Sequence, residues 1–216
     1  MKNSNYEEKA FIEVFLQRIK GILNLVSFRP TINSMISEQY VGAIETLDKE
    51  LDTSINFVPK TRDLNFLQDY VNDNIQSASD TIATNLRQEI QRGILNGDDS
   101  KALITRVHSL FKQKTYRTRL KTILRTETVR ANNLGTLTGA QQAEASGLKL
   151  AKWLDVTEDA RTSNICLAEH VKYGTPEQAI PIDKEFIVTV DNKTIKSQYP
   201  PFHVNCRSIL RIKEIE

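Results

Sequence analysis

The chain of 216 residues has little of several residue types, and each shortage excludes a class of protein. Two cysteines are too few for a scaffold built on disulfides. Eight glycines and six prolines exclude a collagen-like or low-complexity chain. The longest uncharged apolar run, residues 21–28, is far too short to cross a bilayer, so we expect no membrane-spanning helix. Glu7 and Glu8 lie where a signal peptide would carry its apolar stretch, so nothing indicates export.

Charge is unevenly distributed, although the net charge is only +2. Between Lys101 and Arg130 there are nine basic residues and one acidic residue, Glu127. Such a stretch is typical of a surface that binds a polyanion, and a solvated helix face beside an acidic neighbour is the alternative. The candidate phosphate contacts follow one another at intervals of four, on one helix face: Arg117, Lys121 and Arg125.

Apolar residues recur at intervals of three and four through the first 147 residues, which is the pattern of amphipathic helices. The pattern predicts five helices, over residues 6–27, 31–58, 64–95, 98–111 and 116–145, and Pro59 closes the second of them. The third helix has an even apolar stripe, so we expect it to pack against a neighbouring helix or another subunit. Gly135 and Gly139 are expected to weaken the second half of the fifth helix.

The residue pattern changes after Gly147, where apolar and polar residues begin to alternate as they do in strands. Strands are predicted over residues 148–156, 186–190, 194–196 and 208–213, with a polar turn that makes the middle pair a hairpin. We therefore predict an α+β protein. A mainly helical region with long helices (residues 1–147) precedes a small mixed domain (residues 148–216).

The small domain contains both cysteines and two of the three histidines: Cys166, His170, His203 and Cys206. Two thiolates and two imidazoles suit a tetrahedral Zn²⁺ ion, and a structural metal would stabilise a domain of only about 70 residues. Three other interpretations remain open. The cysteines can be buried free thiols, or they can form a disulfide. His170 can also be an ordinary surface side chain.

No standard catalytic motif is present in the sequence, so we expect no enzyme activity. The alternative is a metal-dependent nuclease that acts on DNA, because His203 and Asn205 match part of a histidine–asparagine nuclease motif. In that case His203 is the general base. A closed four-ligand zinc site argues against this alternative, because it leaves no open position for water or phosphate.

Several short strings in the C-terminal half occur in a characteristic order, over residues 124–128, 131–132, 152–153, 159–166 and 200–208. In this order and spacing the chain resembles the phage Mu protein F-like family across roughly residues 120–212. The family signature falls on these residues: Asp159, Arg161, Thr162, Cys166, His203, Asn205, Cys206 and Arg207. The chain has Ser163 and Ser208 where many members of the family carry further cysteines.

The resemblance implies a minor capsid protein that takes part in head morphogenesis of a tailed phage or prophage. It would lie in the capsid interior near the portal, after assembly in the host cytoplasm, and assist head assembly and DNA packaging or ejection. The expected partners are the portal protein, the major capsid protein and phage DNA, which the basic helix would face without sequence preference. The Cys/His cluster would be structural, with Zn²⁺ as its ion.

Overall fold

A computed structural model describes residues 29–52, 55–99, 102–103, 105–107, 109 and 114–215. The helix predicted over residues 6–27 lies outside these ranges. The helix predicted over residues 98–111 is described only in part, and residues 102–103, 105–107 and 109 are helical. None of the described helices is both long and apolar enough to cross a membrane.

Three long helices form most of the described chain: α1 (Arg29–Glu50), α2 (Thr61–Leu95) and α3 (Lys114–Ala145). Shorter elements follow: β1 (Leu150–Asp155), α4 (Asn164–Tyr173), a 3₁₀ turn (Pro176–Gln178), β2 (Ile180–Pro181), β3 (Phe186–Val190), β4 (Lys193–Ser197) and β5 (Ile209–Glu214). The predicted α+β class is therefore confirmed, with helices first and a small mixed region after them.

The strands form two small antiparallel sheets. One sheet has the order β2-β1-β5, and the other is the hairpin of β3 and β4. In the first sheet Trp153 is opposite Arg211, and in the hairpin Val188 is opposite Ile195. Asp191 and its neighbour Asn192 form the hairpin turn with positive φ angles of 50° and 61°, which suit Asp and Asn in two-residue turns. The predicted hairpin is thus confirmed.

Helices α1, α2 and α3 begin two or three residues before their predicted starts, and α4 is a helix that was not predicted. Helix α1 begins at Arg29, so Pro30 lies in its first turn, where a missing N–H is no loss. The sequence pattern places this start two residues later, at Thr31. Helix α4 was not predicted as an element. Ser163 caps it, because the Ser163 side chain accepts a hydrogen bond from the backbone N–H of Cys166.

The chain divides into two compact units. The first comprises the described parts of residues 1–30 and 72–121, and the second comprises residues 31–71 and 122–216. The chain passes from one unit to the other at residues 30–31, 71–72 and 121–122, each inside a long helix. The sequence pattern has a break only at the first of these, beside Pro30. The domain boundary predicted at residue 147 stays a prediction.

In the first unit, the apolar stripe of α2 is buried along the helix. Its members are at most 6% exposed: Ile75, Ala78, Ile82, Leu86 and Ile90. Their spacing of three and four places them on one face, as the sequence pattern predicted.

In the second unit, the three long helices share a buried polar contact around Asp63. The hydroxyl groups of Tyr40 and Thr138 lie 3.2 Å and 2.8 Å from the Asp63 Oδ2 atom. The backbone N–H of Lys60 donates to the Tyr40 hydroxyl at 3.2 Å. A carboxylate that is 6% exposed needs such partners, so this contact sets the register of α1, α2 and α3 within the unit.

Gly135 marks the closest approach of α3 to α1. A Cβ atom at this position would collide with the carbonyl oxygen of Tyr40 and lie 2.9 Å from the Cβ of Ala43. Helix α3 continues through Gly135 to Ala145, so the glycine permits close packing and does not end the helix.

We expect Gly135→Ala to destabilise the protein by about 1–3 kcal/mol, because the new methyl group meets backbone that cannot move away. Gly42→Ala is the matched control, since nothing lies within 4 Å of a Cβ there. It should stabilise α1 by roughly 1 kcal/mol through helix propensity alone. Urea unfolding of both variants measures the two effects, and equal stability of the variants would contradict this account of Gly135.

Candidate metal centre

Three of the four predicted ligands come together in the second unit. The ligand atoms of Cys166, His203 and Cys206 all lie within 4.8 Å of one another. The two sulfur atoms are 3.9 Å apart, and the Cys166 Sγ lies 2.9 Å from the His203 Nε2. Cys166 is in the first turn of α4, whereas the other two lie in the segment between β4 and β5. Both cysteines are buried and are free thiols.

His170 does not join this group, although it was predicted as the fourth ligand. Its Nε2 atom lies 3.1 Å from the Glu158 Oε1. Spacing of four residues in a helix places two side chains on one face, but it does not fix where the longer of them ends. The His170 ring therefore lies against the loop that precedes α4. Cys166 is the one residue of α4 in the group of three candidate ligands.

The geometry of the cluster suits a tetrahedral ion. Zinc–sulfur bonds of about 2.3 Å at a tetrahedral angle place two sulfur atoms about 3.8 Å apart, and the observed separation is 3.9 Å. The imidazole would move outward by roughly 0.6 Å to reach the matching nitrogen–sulfur distance. The His203 Nδ1 lies 2.8 Å from the Val204 carbonyl oxygen, an arrangement that leaves Nε2 for a metal. The three residues could therefore hold a metal ion.

The two thiols differ in their acidity. The pKa of Cys206 is lowered to about 6 because it accepts a hydrogen bond from Cys166. The same bond and burial raise the pKa of Cys166 to about 11. Binding of a metal to both sulfur atoms would therefore release the proton that the pair holds.

Helix α3 supports the segment that carries His203 and Cys206. The Thr126 hydroxyl accepts a hydrogen bond from the backbone N–H of Asn205 at 3.0 Å. Asn205 has a φ angle of 64°, in the left-handed region that Asn tolerates better than most residues. This turn reverses the chain between the two ligands, and the backbone N–H of Cys206 donates to the His203 carbonyl at 3.2 Å.

Asn133 holds the same segment further along. Its Nδ2 donates to the carbonyl oxygens of Pro200 and Ser208, at 3.2 Å and 3.1 Å. Its Oδ1 accepts from the backbone N–H of Leu210 at 2.8 Å. Asn133 is fully buried and lies seven residues, or two helical turns, after Thr126. One face of α3 therefore positions the whole segment from residue 200 to 210.

The remaining signature residues join the loop before α4 to the end of this segment. Arg207 donates two hydrogen bonds to Asp159, at 2.8 Å and 2.6 Å, and holds the pKa of that carboxyl well below its usual range. The backbone N–H of Arg161 donates to Asp159 at 2.8 Å. The Thr162 hydroxyl accepts from the Asp159 N–H at 2.8 Å and donates to the Thr157 carbonyl. These contacts fix both chain segments that carry the ligands.

Glu169 was not identified from the sequence. It lies one turn after Cys166 in α4 and is fully buried. Neither of its carboxylate oxygens has a hydrogen-bond partner among the described residues. Burial raises its pKa to about 9. The spacing of three residues from a cysteine could have indicated it only if α4 had been predicted as a helix.

Lys152 is a second buried ionisable residue that sequence reasoning did not single out for a role. Its Nζ donates to the backbone carbonyl of Gln198 at 2.9 Å and to the Gln198 side chain at 2.6 Å. Burial lowers its pKa to about 8. The contact ties β1 to the chain just before Pro200, where the segment that carries the ligands begins.

The predicted phosphate contacts lie on α3. The side chains of Lys121 and Arg125 are exposed, and the side chain of Arg117 lies outside the described part. Not every basic residue of the region is available. Arg130 forms an ion pair with Glu127 at 2.9 Å, and Arg106 forms one with Asp98.

The fold and the cluster define an α+β protein whose C-terminal part is organised around two cysteines and a histidine. A family model for phage Mu protein F-like proteins matches residues 84–211. Because the match covers more than half of the chain, the chain belongs to this family, as the resemblance predicted. Membership assigns it a role in phage head morphogenesis as a minor capsid protein, within the multi-subunit virion. No curated protein and no solved structure matches the chain.

We expect Asn133→Ala to destabilise the protein by about 2–4 kcal/mol, because it leaves buried backbone groups of the segment without partners. The neighbouring Asn132→Ala is the matched control, since Asn132 makes one partly buried contact, with Gln39 at 3.0 Å. Its effect should stay within about 1 kcal/mol. Urea unfolding gives both values. The Asn133 variant should also expose Cys166 and Cys206 to a thiol reagent, and equal reactivity in the two variants would contradict this role.

Proposed function

We propose that this chain is a minor head protein of a tailed phage or prophage that lies in the capsid interior near the portal. There it assists head assembly and the packaging or ejection of DNA. The match of residues 84–211 to the phage Mu protein F-like family carries the proposal. The compact arrangement of the signature residues supports it, because Asp159, Arg207 and the cysteine–histidine cluster act together to hold chain segments in place.

We further propose that the cluster holds a structural Zn²⁺ ion. Thiolate and imidazole are the ligands that zinc prefers, and the separation of the two sulfur atoms fits a tetrahedral site. An ion bound there would join α4 to the segment between β4 and β5, two parts that are 40 residues apart along the chain. The role is structural, because the cysteines are buried and their surroundings are tied down by hydrogen bonds.

The partners follow from the same role. We propose that the long N-terminal helices contact the portal protein or the major capsid protein. The basic face of α3 is proposed to lie against phage DNA, and the exposure of Lys121 and Arg125 supports this. Contacts to phosphate alone would be independent of sequence, as packaged DNA requires.

In heads purified from the phage or prophage that encodes the chain, we expect few copies of it relative to the major capsid protein. Quantitative mass spectrometry of the heads measures the ratio. Chemical cross-linking of the same heads should join the chain to the portal protein. Absence of the chain from purified heads would contradict the proposed function.

The nuclease alternative is tested with the purified full chain and supercoiled plasmid, in the presence of Mg²⁺ or Zn²⁺. We expect no cleavage. Cleavage that disappears in a His203→Ala variant would contradict the structural role and support the alternative.

We expect the triple variant Arg117→Gln, Lys121→Gln and Arg125→Gln to bind duplex DNA more weakly. The slope of log affinity against log salt concentration should fall by roughly two to three, because each phosphate contact contributes about 0.9. The matched control neutralises three exposed lysines of the C-terminal region, Lys184, Lys193 and Lys196. Fluorescence anisotropy at several salt concentrations measures both, and equal slopes would discard the proposed DNA surface.

A further inference from the structure

Glu169 differs from the other buried acidic residues of the described chain. Asp63 has two hydroxyl partners, and Glu127 is paired with Arg130. Glu169 is fully buried, and among the described residues neither of its carboxylate oxygens has a hydrogen-bond partner. A carboxyl group without a partner in the protein interior is costly unless a cation or a proton neutralises it. Its position therefore calls for an explanation.

The side chain lies beside the cysteine–histidine cluster. Cys166 and Glu169 are three residues apart in α4 and both are buried, so they share the inner face of the helix. Ser208, which is also buried, donates its hydroxyl to the Cys166 Sγ at 3.5 Å. The Glu169 side chain thus belongs to the same buried face of α4 as the Cys166 sulfur, which lies 3.9 Å from the Cys206 sulfur.

The cluster itself provides only three ligands, whereas a structural zinc site has four. His170 is held at Glu158, 3.1 Å away. Ser163 is engaged as the cap of α4 and in a 2.8 Å contact with the His203 Nε2. The Glu169 carboxylate lies outside the set of three atoms, so it must rotate about its own side-chain torsions to join them. A glutamate has enough rotatable bonds for this movement.

We propose that Glu169 supplies a carboxylate oxygen as the fourth ligand of the metal ion held by Cys166, His203 and Cys206. The inference rests on the proposed metal site and adds its coordination. A divalent ion gives the buried carboxylate the partner that it lacks, and the carboxylate closes the coordination sphere against water.

The test uses Co²⁺ as a spectroscopic substitute for Zn²⁺ in the full chain. The native protein should bind one equivalent, with the intense visible bands of a four-coordinate thiolate site. Glu169→Gln keeps the size of the side chain but removes its charge. We expect it to weaken the Co²⁺ affinity by about 10–100-fold and to change the visible bands. His170→Ala is the matched control, one residue away on the same helix, and its affinity and spectrum should equal those of the native protein.

A second variant, Glu169→Leu, separates the loss of a ligand from a loss of folding. Glu169→Leu suits an apolar interior, so it should fold and raise the melting temperature of the protein without metal. Added Zn²⁺ should raise the melting temperature of the native protein clearly more than that of this variant. An equal zinc-induced shift in both proteins would show that Glu169 is only a buried acid and would overturn the inference.

The outcomes separate the two proposals. If the native protein binds neither Co²⁺ nor Zn²⁺, the proposed metal site fails and the role of Glu169 fails with it. If the native protein binds Co²⁺ and Glu169→Gln leaves affinity and spectrum unchanged, the metal site stands and the role of Glu169 alone is overturned. A changed spectrum in His170→Ala together with an unchanged one in Glu169→Gln would assign the fourth position to His170 and would also overturn the inference.

Discussion

The hydrogen bonds from α3 to residues 200–210 are the constraint on which the C-terminal structure depends. This segment has little regular secondary structure of its own, so its backbone groups need partners elsewhere. Thr126 and Asn133 supply them from one face of a single helix. Without these partners, His203 and Cys206 would have no fixed position opposite α4, and the cluster would not form. Helix α3 therefore fixes the conformation of this segment, which carries two of the candidate ligands, His203 and Cys206.

Further polar contacts hold the segment from residue 200 to 210 in place. Asp159 and Arg207 form a paired, charge-assisted contact, and this geometry specifies direction as well as distance. Lys152 donates two hydrogen bonds to Gln198, just before this segment begins. Asp159, Arg207 and Lys152 all have hydrogen-bond partners, so these contacts favour one conformation of the segment over alternative conformations. These contacts give Asp159 and Arg207 a structural role in holding the segments that carry the candidate ligands.

The sequence predicted the parts of the fold that depend on local periodicity. The apolar stripe of α2 and the alternation in β3 and β4 can be read from residue spacing alone, because burial imposes a period of 3.6 or 2 on each. Helix α4 escaped prediction because ten residues with little apolar periodicity give a weak signal. The starting point of α1 was misplaced since Pro30 is tolerated in a first turn, which spacing cannot distinguish from a break.

The candidate site was predictable as far as residue chemistry goes. The sequence grouped two cysteines and a histidine that the structure also places together. The grouping was possible because few residue types bind soft metal ions and the chain has few of them. The proposed fourth ligand, Glu169, could not be chosen by residue type. His170 has the right chemistry, but its ring is directed to Glu158, whereas Glu169 is an unremarkable residue until its burial is known. Side-chain direction depends on the packing of α4 against the rest of the unit, a tertiary property that spacing in the sequence does not contain. For this reason Glu169 was proposed as a ligand from its burial in the structure, whereas His170 was predicted from helical spacing alone.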